Sequence, residues 1–333
     1  MINFLKKIKR NLLFRYIYFL RLLDASELNK VHPLQKNKFI NVVDNYKKYA
    51  WGSFSLNSLT HETWGAYTIS VRDQFLVAPK IDFFGLPVFI ETMTGFHRNF
   101  ENSDYVRQCT DILSEKFNLT DLLTEDLIGY PLLLNNCIFK TSLNRLVHVF
   151  QFALIYELSL NTSAETKIFT EWGGGFGGLA RIFDKANIQG ITYNIVDIPE
   201  ICHVQYIYLN STVNNLKVIL HDGSRPIEKN SINIIPNSLL PHYKEMLNCD
   251  VFISAWALSE SSKEAQNFVC STEFFKSTAA LIIHQPISDK HPYADKLTHP
   301  LNNYFNSVFI SQFPYMTSQT ILRATNSNII DLK

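Results

Sequence analysis

Five glycines, Gly173, Gly174, Gly175, Gly177 and Gly178, fall within six consecutive positions of a 333-residue chain that has only 12 glycines. They stand between the strand-like run KIFTE and the helix-like LARIF. A tight strand-to-helix turn alone does not require so many. Missing Cβ atoms let the backbone take positive φ and approach a bound molecule closely, and the helix start offers free N–H groups. In an open α/β sheet such a turn lies at the carboxyl ends of the strands, where ligands bind. The cluster therefore predicts a cofactor site.

The flanking pattern agrees. From Lys167 onward, short apolar runs (KIFTE, TYNIVD, LKVILHD, DVFISAW and AALIIHQP) alternate with helical segments beginning near Gly177, Pro199 and Leu258, with a less regular link between the third and fourth runs. YFNSVFISQF and SQTILRAT then read as two strands joined by a turn at 314–317. The expectation is a Rossmann-like α/β fold for residues 141–333: a seven-stranded sheet, parallel with a C-terminal antiparallel pair. It is entered by a long amphipathic helix in which Leu143, Leu146, Val147, Phe150, Leu154 and Leu158 recur at helical spacing. Residues 1–140 read as an α+β auxiliary, acceptor-side region, with YTISVRDQFLVAP and FFGLPVFIE as its strands.

A net charge of +1 gives no field toward nucleic acid. The charge is uneven, because Lys6, Lys7, Lys9, Arg10, Arg15 and Arg21 precede the first acid, Asp24. Residues 1–23 predict a basic amphipathic helix, too interrupted to span a bilayer, that rests on an anionic membrane face or docks on its own protein. The helical N-terminal region is also the expected homodimer surface. Cys109, Cys137, Cys202, Cys249 and Cys270 include no closely spaced pair, which fits free thiols and a cytoplasmic location.

The glycine spacing satisfies two templates. Gly173-x-Gly175-x-x-Gly178 fits a dinucleotide turn, and Glu171-x-Gly173-x-Gly175-x-Gly177 fits a methyltransferase turn. Glu171 favours the second, since a strand-end carboxylate suits the cationic amino-acid end of S-adenosylmethionine and opposes a pyrophosphate. Asp197, ending the second strand, stands where ribose hydroxyls should lie, although an Asp there also serves as a helix cap. Asp222, ending the third, is placed to accept from the adenine amino group or to hold the turn Asp222-Gly223-Ser224.

The runs FTEWGGGFGGLARIF, YNIVDIPEICHVQYIYL and CDVFISAWALSE resemble the bacterial sugar O-methyltransferases, class I S-adenosylmethionine-dependent enzymes of surface-polysaccharide synthesis. The likeness covers about residues 140–333. It implies donor-site roles for Glu171, Gly173, Gly174, Gly175, Gly177 and Asp197, and a sugar or glycan-precursor acceptor. Trp256 stands where the resemblance leads one to expect a smaller or polar residue, and is assigned to the acceptor pocket. For the base that takes the acceptor proton, Glu260 follows the fourth strand and His284 ends the fifth; a first-turn helix acid and a hydrogen-bonded histidine in a half-buried strand are their alternative roles. His97 and Arg98, after Glu91, are candidate acceptor contacts. No Asp/His cluster names ligands for a divalent ion, and the metal stays open. The competing readings are a nicotinamide-dependent oxidoreductase using the same turn and a non-catalytic partner protein.

Overall fold

The computed structural model describes residues 33–47, 57–94, 104–134, 137, 139–159, 167–288, 297–313 and 316–326. The basic segment 1–23 and the pair His97 and Arg98 lie outside them. Among the described residues four helices come first, α1 (Pro33–Tyr46), α2 (Thr63–Val71, continued by a wider-wound turn over Arg72–Leu76), α3 (Pro87–Thr92) and α4 (Asp104–Asp111). The long helix α5 (Leu143–Ser159) leads into β1 (Lys167–Trp172), α6 (Gly178–Lys185), β2 (Ile191–Asp197), α7 (Pro199–Thr212), β3 (Lys217–Leu220) and β4 (Ser231–Pro236). The chain continues through α8 (Leu240–Tyr243), β5 (Val251–Ala255), α9 (Ala257–Glu260), α10 (Lys263–Ser271), β6 (Ala279–His284), α11 (Thr298–Tyr304), β7 (Ser307–Phe313) and β8 (Met316–Thr325).

The strands form one eight-stranded sheet in the order β3-β4-β2-β1-β5-β6-β8-β7. All neighbours are parallel up to β6, and β8 then runs antiparallel to both β6 and β7. The Rossmann-like α/β class with its closing antiparallel pair is thus observed, with one strand more than expected. The addition is β4, SINIIP, in the link that looked irregular. It lies directly against β2 and moves LKVILHD out to the sheet edge.

Successive residues of a strand face opposite sides of a sheet, and the core divides accordingly. Val251 and Ile253 of β5 and Leu281 and Ile283 of β6 belong to one apolar cluster with α5, α6 and α7; Phe252, Ala280 and Ile282 belong to a second with α8, α10 and α11. Helices α1, α2 and α3 feed the first cluster through Phe39, Val71, Phe75 and Phe89.

Both segments expected as strands in the auxiliary region are helical instead. TWGAYTISV is α2, and FFG followed by PVFIET is a short 3-10 turn and α3. Thr68, Val71, Phe75 and Leu76 are buried at helical spacing, so packing on one face overrides the β propensity of Tyr, Thr, Ile and Val. Pro87 occupies the first turn of α3, where its missing N–H costs nothing.

Candidate functional site

The glycine cluster forms the turn from β1 into α6, and three of its members show why no larger side chain stands there. Gly173 has φ +77°, and a Cβ would sit 2.0 Å from that of Ala257 at the start of α9. Gly177 has φ +92°, and a Cβ would lie 2.9 Å from the Leu209 side chain of α7. Gly175 has φ +54° with open space beside it, and it lines a cavity of about 390 Å³ at the carboxyl ends of β1, β2, β5 and β6.

Glu171, Gly173, Gly174, Gly175, Asp197, Trp256 and Glu260 all line this cavity, so the structure brings together most of the residues singled out in the sequence. Glu171 is 3% exposed and accepts a hydrogen bond of 3.0 Å from the Tyr193 hydroxyl. Burial pushes its carboxyl up to about 8; the Tyr193 bond pulls it down, and the charge of Asp197 adds to the rise. Asp197 accepts from the Ile198 backbone at 2.8 Å and from Gln205 Nε2 at 2.7 Å, and the N–H groups of Gly175 and Gly174 also reach it. Burial outweighs these bonds and leaves it pushed up to about 7. Ile198 is the residue that precedes α7 at the cap position, so Asp197 is turned to the cavity and the glycine loop.

Gln205, on α7, went unnoticed in the sequence. The same Nε2 that holds Asp197 donates to the Gly175 carbonyl at 2.9 Å, tying the loop to the carboxylate. No local motif marks it; only its place two turns along α7 from Asp197 would have pointed to it.

Glu260 ends α9 and lies mostly out of water. Burial pushes it up to about 7, against a 3.1 Å hydrogen bond from Gln285 Nε2. Gln285 is itself oriented by the Ser259 hydroxyl, which donates to its Oε1 at 2.7 Å. Trp256 takes φ +65°, uncommon for a bulky residue, and anchors its ring nitrogen on Gln319 Oε1 at 2.9 Å. His284 does not line the cavity: it is 6% exposed, and its Nδ1 lies 3.0 Å from the Gln285 carbonyl oxygen. His148 of α5 does line it, and burial followed by the nearby Arg145 charge pushes its ring down to about 3, so it is a neutral imidazole.

Asp222 stands apart. With β4 inserted, it follows the edge strand β3, accepts from the Ser224 backbone and hydroxyl at 2.9 and 2.6 Å, and is exposed. The residue after β4, next to β2, is Asn237. Its Nδ2 donates to Thr60 Oγ1 at 3.2 Å, while its buried Oδ1 has no partner. Together with Asp197 and Gly173 it lines a small side pocket of about 50 Å³.

Three carboxylates and no Lys or Arg line the main cavity among the described residues. Two of them, Glu171 and Asp197, raise each other's cost of ionising or meet it with neutral donors only, so a bound cation is stabilised there and an anion is opposed. Among the described residues no group of three or more His, Cys, Asp or Glu is placed so that it could hold a metal ion, and no helix is long and apolar enough to cross a membrane.

No protein-family model matches the chain, and no curated protein matches it. Solved structures do. An O-methyltransferase family protein from Burkholderia thailandensis is 13% identical over 55% of this chain and 60% of that one, with a TM-score of 0.35. Magnesium protoporphyrin IX methyltransferase from Synechocystis PCC 6803, with bound SAM, is 13% identical over 69% of this chain and all of that one, at 0.37. Fibrillarin from Aeropyrum pernix, in complex with natively bound S-adenosyl-L-methionine, is 11% identical over 53% of this chain and 74% of that one, at 0.35. This chain spans less than two thirds of the Burkholderia protein's length. The fold class rests on the strand order itself.

Proposed function

We propose that this protein is an S-adenosylmethionine-dependent O-methyltransferase that methylates a hydroxyl of a sugar or surface-glycan precursor. The observation that carries the reading is the all-acidic cavity at the glycine turn. A dinucleotide would bring a pyrophosphate against Glu171 and Asp197 with no Lys or Arg among the described lining residues to meet it, whereas S-adenosylmethionine brings an ammonium and a sulfonium. The residues fit that donor. Glu171 receives the ammonium, Asp197 accepts from the ribose hydroxyls, and Gly175 leaves room for close approach. The unpartnered Oδ1 of Asn237 awaits a donor such as the adenine amino group.

The sulfonium of the donor supplies an activated methyl group. Glu260 takes the acceptor hydroxyl's proton while the new C–O bond forms and the C–S bond breaks, leaving S-adenosylhomocysteine. A base with a pKa near 7 matches neutral operating conditions. Gln285 and Ser259 hold its carboxylate in place. His284, behind Gln285, supports this arrangement from the strand. The sugar acceptor is supported by the sequence resemblance and by the aromatic and carboxylate groups beside Glu260. A homodimer through the N-terminal helices and membrane contact through residues 1–23 complete the proposal.

The test is isothermal calorimetry with S-adenosylmethionine, S-adenosylhomocysteine and NAD. Binding of the first two, lost in Asp197→Ala, supports the donor site; binding of NAD alone overturns it.

A further inference from the structure

The fifth glycine of the turn, Gly178, makes room for a helix. A Cβ there would lie 2.6 Å from Nδ1 of His148 on α5, and the same imidazole meets the Phe176 ring edge-on at 5.5 Å between centroids. α5 is thereby seated directly on the glycine turn. Three residues beyond His148, at the spacing that shares its helix face, stands Gln151. Gln151 lines the donor cavity while only 1% exposed, and its Nε2 is buried without a hydrogen-bond partner. An unpaired buried N–H costs stability, and one kept at the wall of a binding cavity is a donor held for a group that arrives there.

The fold says which group. Alternate residues of a strand share a face, so Glu171 projects on the side of Phe169 and Asp197 on the side of Tyr193 and Ile195; these three apolar residues belong to the cluster that α5 joins. α5 covers that same face, packing on α6, β5 and β6, on the side of β1 away from β2 and β4. Asn237, Asp197, Glu171 and Gln151 therefore follow one another across the sheet in the order adenine, ribose and amino-acid end of the donor. That last end carries a sulfonium, an ammonium and a carboxylate, of which only the carboxylate accepts a hydrogen bond. We propose that Gln151 is a donor-binding residue that recognises the carboxylate of S-adenosylmethionine, its amide turning about the last side-chain torsion to aim an N–H at it. The inference rests on the methyl-transfer reading above and deepens it: Glu171 meets one charge of the amino acid and Gln151 the other. A neutral amide suits this place, because it donates to the carboxylate without repelling the ammonium and sulfonium close by.

The experiment is calorimetry on the full chain with two ligands, S-adenosylhomocysteine and its decarboxylated analogue, in which hydrogen replaces the carboxylate. Gln151→Met, of similar length and apolar, is expected to weaken S-adenosylhomocysteine about tenfold, the range for a hydrogen bond to a charged group, and to leave the analogue within twofold. The melting temperature of the ligand-free protein should hold or rise, since the variant removes an unpaired buried donor; a merely structural glutamine would lower it. Gln151→Asn, which withdraws the amide by one methylene, is expected to show the same selective loss and repeats the comparison should the Met variant misfold. Equal weakening of both ligands, or of neither, overturns the assignment while leaving the donor site in place. Failure of the unmodified chain to bind S-adenosylhomocysteine would overturn the methyl-transfer reading itself, and the role of Gln151 with it.

Discussion

At the scale of single residues, the site's chemistry is set by burial acting on carboxylates. If ionised Glu260 is the base, as proposed, its value of about 7 makes a defined prediction: kcat rises with pH through a pKa near 7 and then levels. Glu260→Gln should lower kcat by about 10²- to 10⁴-fold with donor affinity retained. A flat pH profile in the unmodified enzyme, or a Gln variant with full activity, assigns the base elsewhere. Glu171 and Asp197 have folded values of about 8 and 7, above their unfolded ones, so the ligand-free protein binds extra protons when folded. By linkage its stability falls as pH rises from about 5 to 8, the window between unfolded and folded values. A cationic ligand favours the ionised forms, so the rise in melting temperature on adding S-adenosylmethionine should be larger at pH 8 than at pH 6. The reverse order would mean that the ammonium does not meet these carboxylates.

Among elements, burial on both faces of the sheet decides which strands the sequence displays. β1, β2, β5 and β6 were legible because buried parallel strands read as unbroken apolar runs, and the glycine turn because its composition is extreme. β4 was not: SINIIP carries Asn233 in its middle and ends in Pro236, and Asn233 is buried with its side chain engaged, donating to Asn194 of the next strand at 3.1 Å and to the Glu228 carbonyl at 2.9 Å. That strand decides which loop borders Asp197 and the glycine turn. Gly173, Gly175, Glu171 and Asp197 could be placed from sequence since they sit at strand ends already visible; Asn237 and Gln205 depend on an unseen strand and on a helix position. Asn237→Ala should therefore weaken S-adenosylhomocysteine binding about tenfold, in the range for loss of one buried hydrogen bond, whereas Asp222→Ala should leave it unchanged. Calorimetry on the two variants decides between the two loops, and an effect confined to Asp222 would return the adenine site to the edge strand. Gln205→Ala, which frees both the Gly175 carbonyl and Asp197, is expected to lower donor affinity by about tenfold as well.

Over the whole molecule, a buried ionic cluster joins the link that precedes α5 to the helices α5 and α6. Asp126, in the link before α5, lies between Arg145 of α5 and Arg181 of α6, with two hydrogen bonds of 3.0 Å from Arg181. Burial alone would raise its carboxyl, but the charges and hydrogen bonds of the two arginines outweigh it and hold the group below the usual range. Arg145 also binds Glu125, and Arg181 binds Asp184, whose oxygens accept the backbone N–H groups of Asn214, Asn215 and Leu216 before β3. Two of the three carboxylates thus connect segments distant in sequence. The apolar cluster on the same sheet face contains residues from α1 through β8, so the described N-terminal helices have no core apart from it. Asp126→Asn takes away the carboxylate that both arginines share, while Glu125 and Asp184 still face them. It should therefore cost about 2–3 kcal/mol, the range for lost hydrogen bonds to charged groups, with a single urea transition that far-UV dichroism and tryptophan fluorescence report together. The sign of its pH dependence follows from the lowered carboxyl: this stabilisation is present above the unfolded value and is lost as acid protonates Asp126. Two separate transitions would instead make the described N-terminal helices a unit that unfolds independently of the sheet.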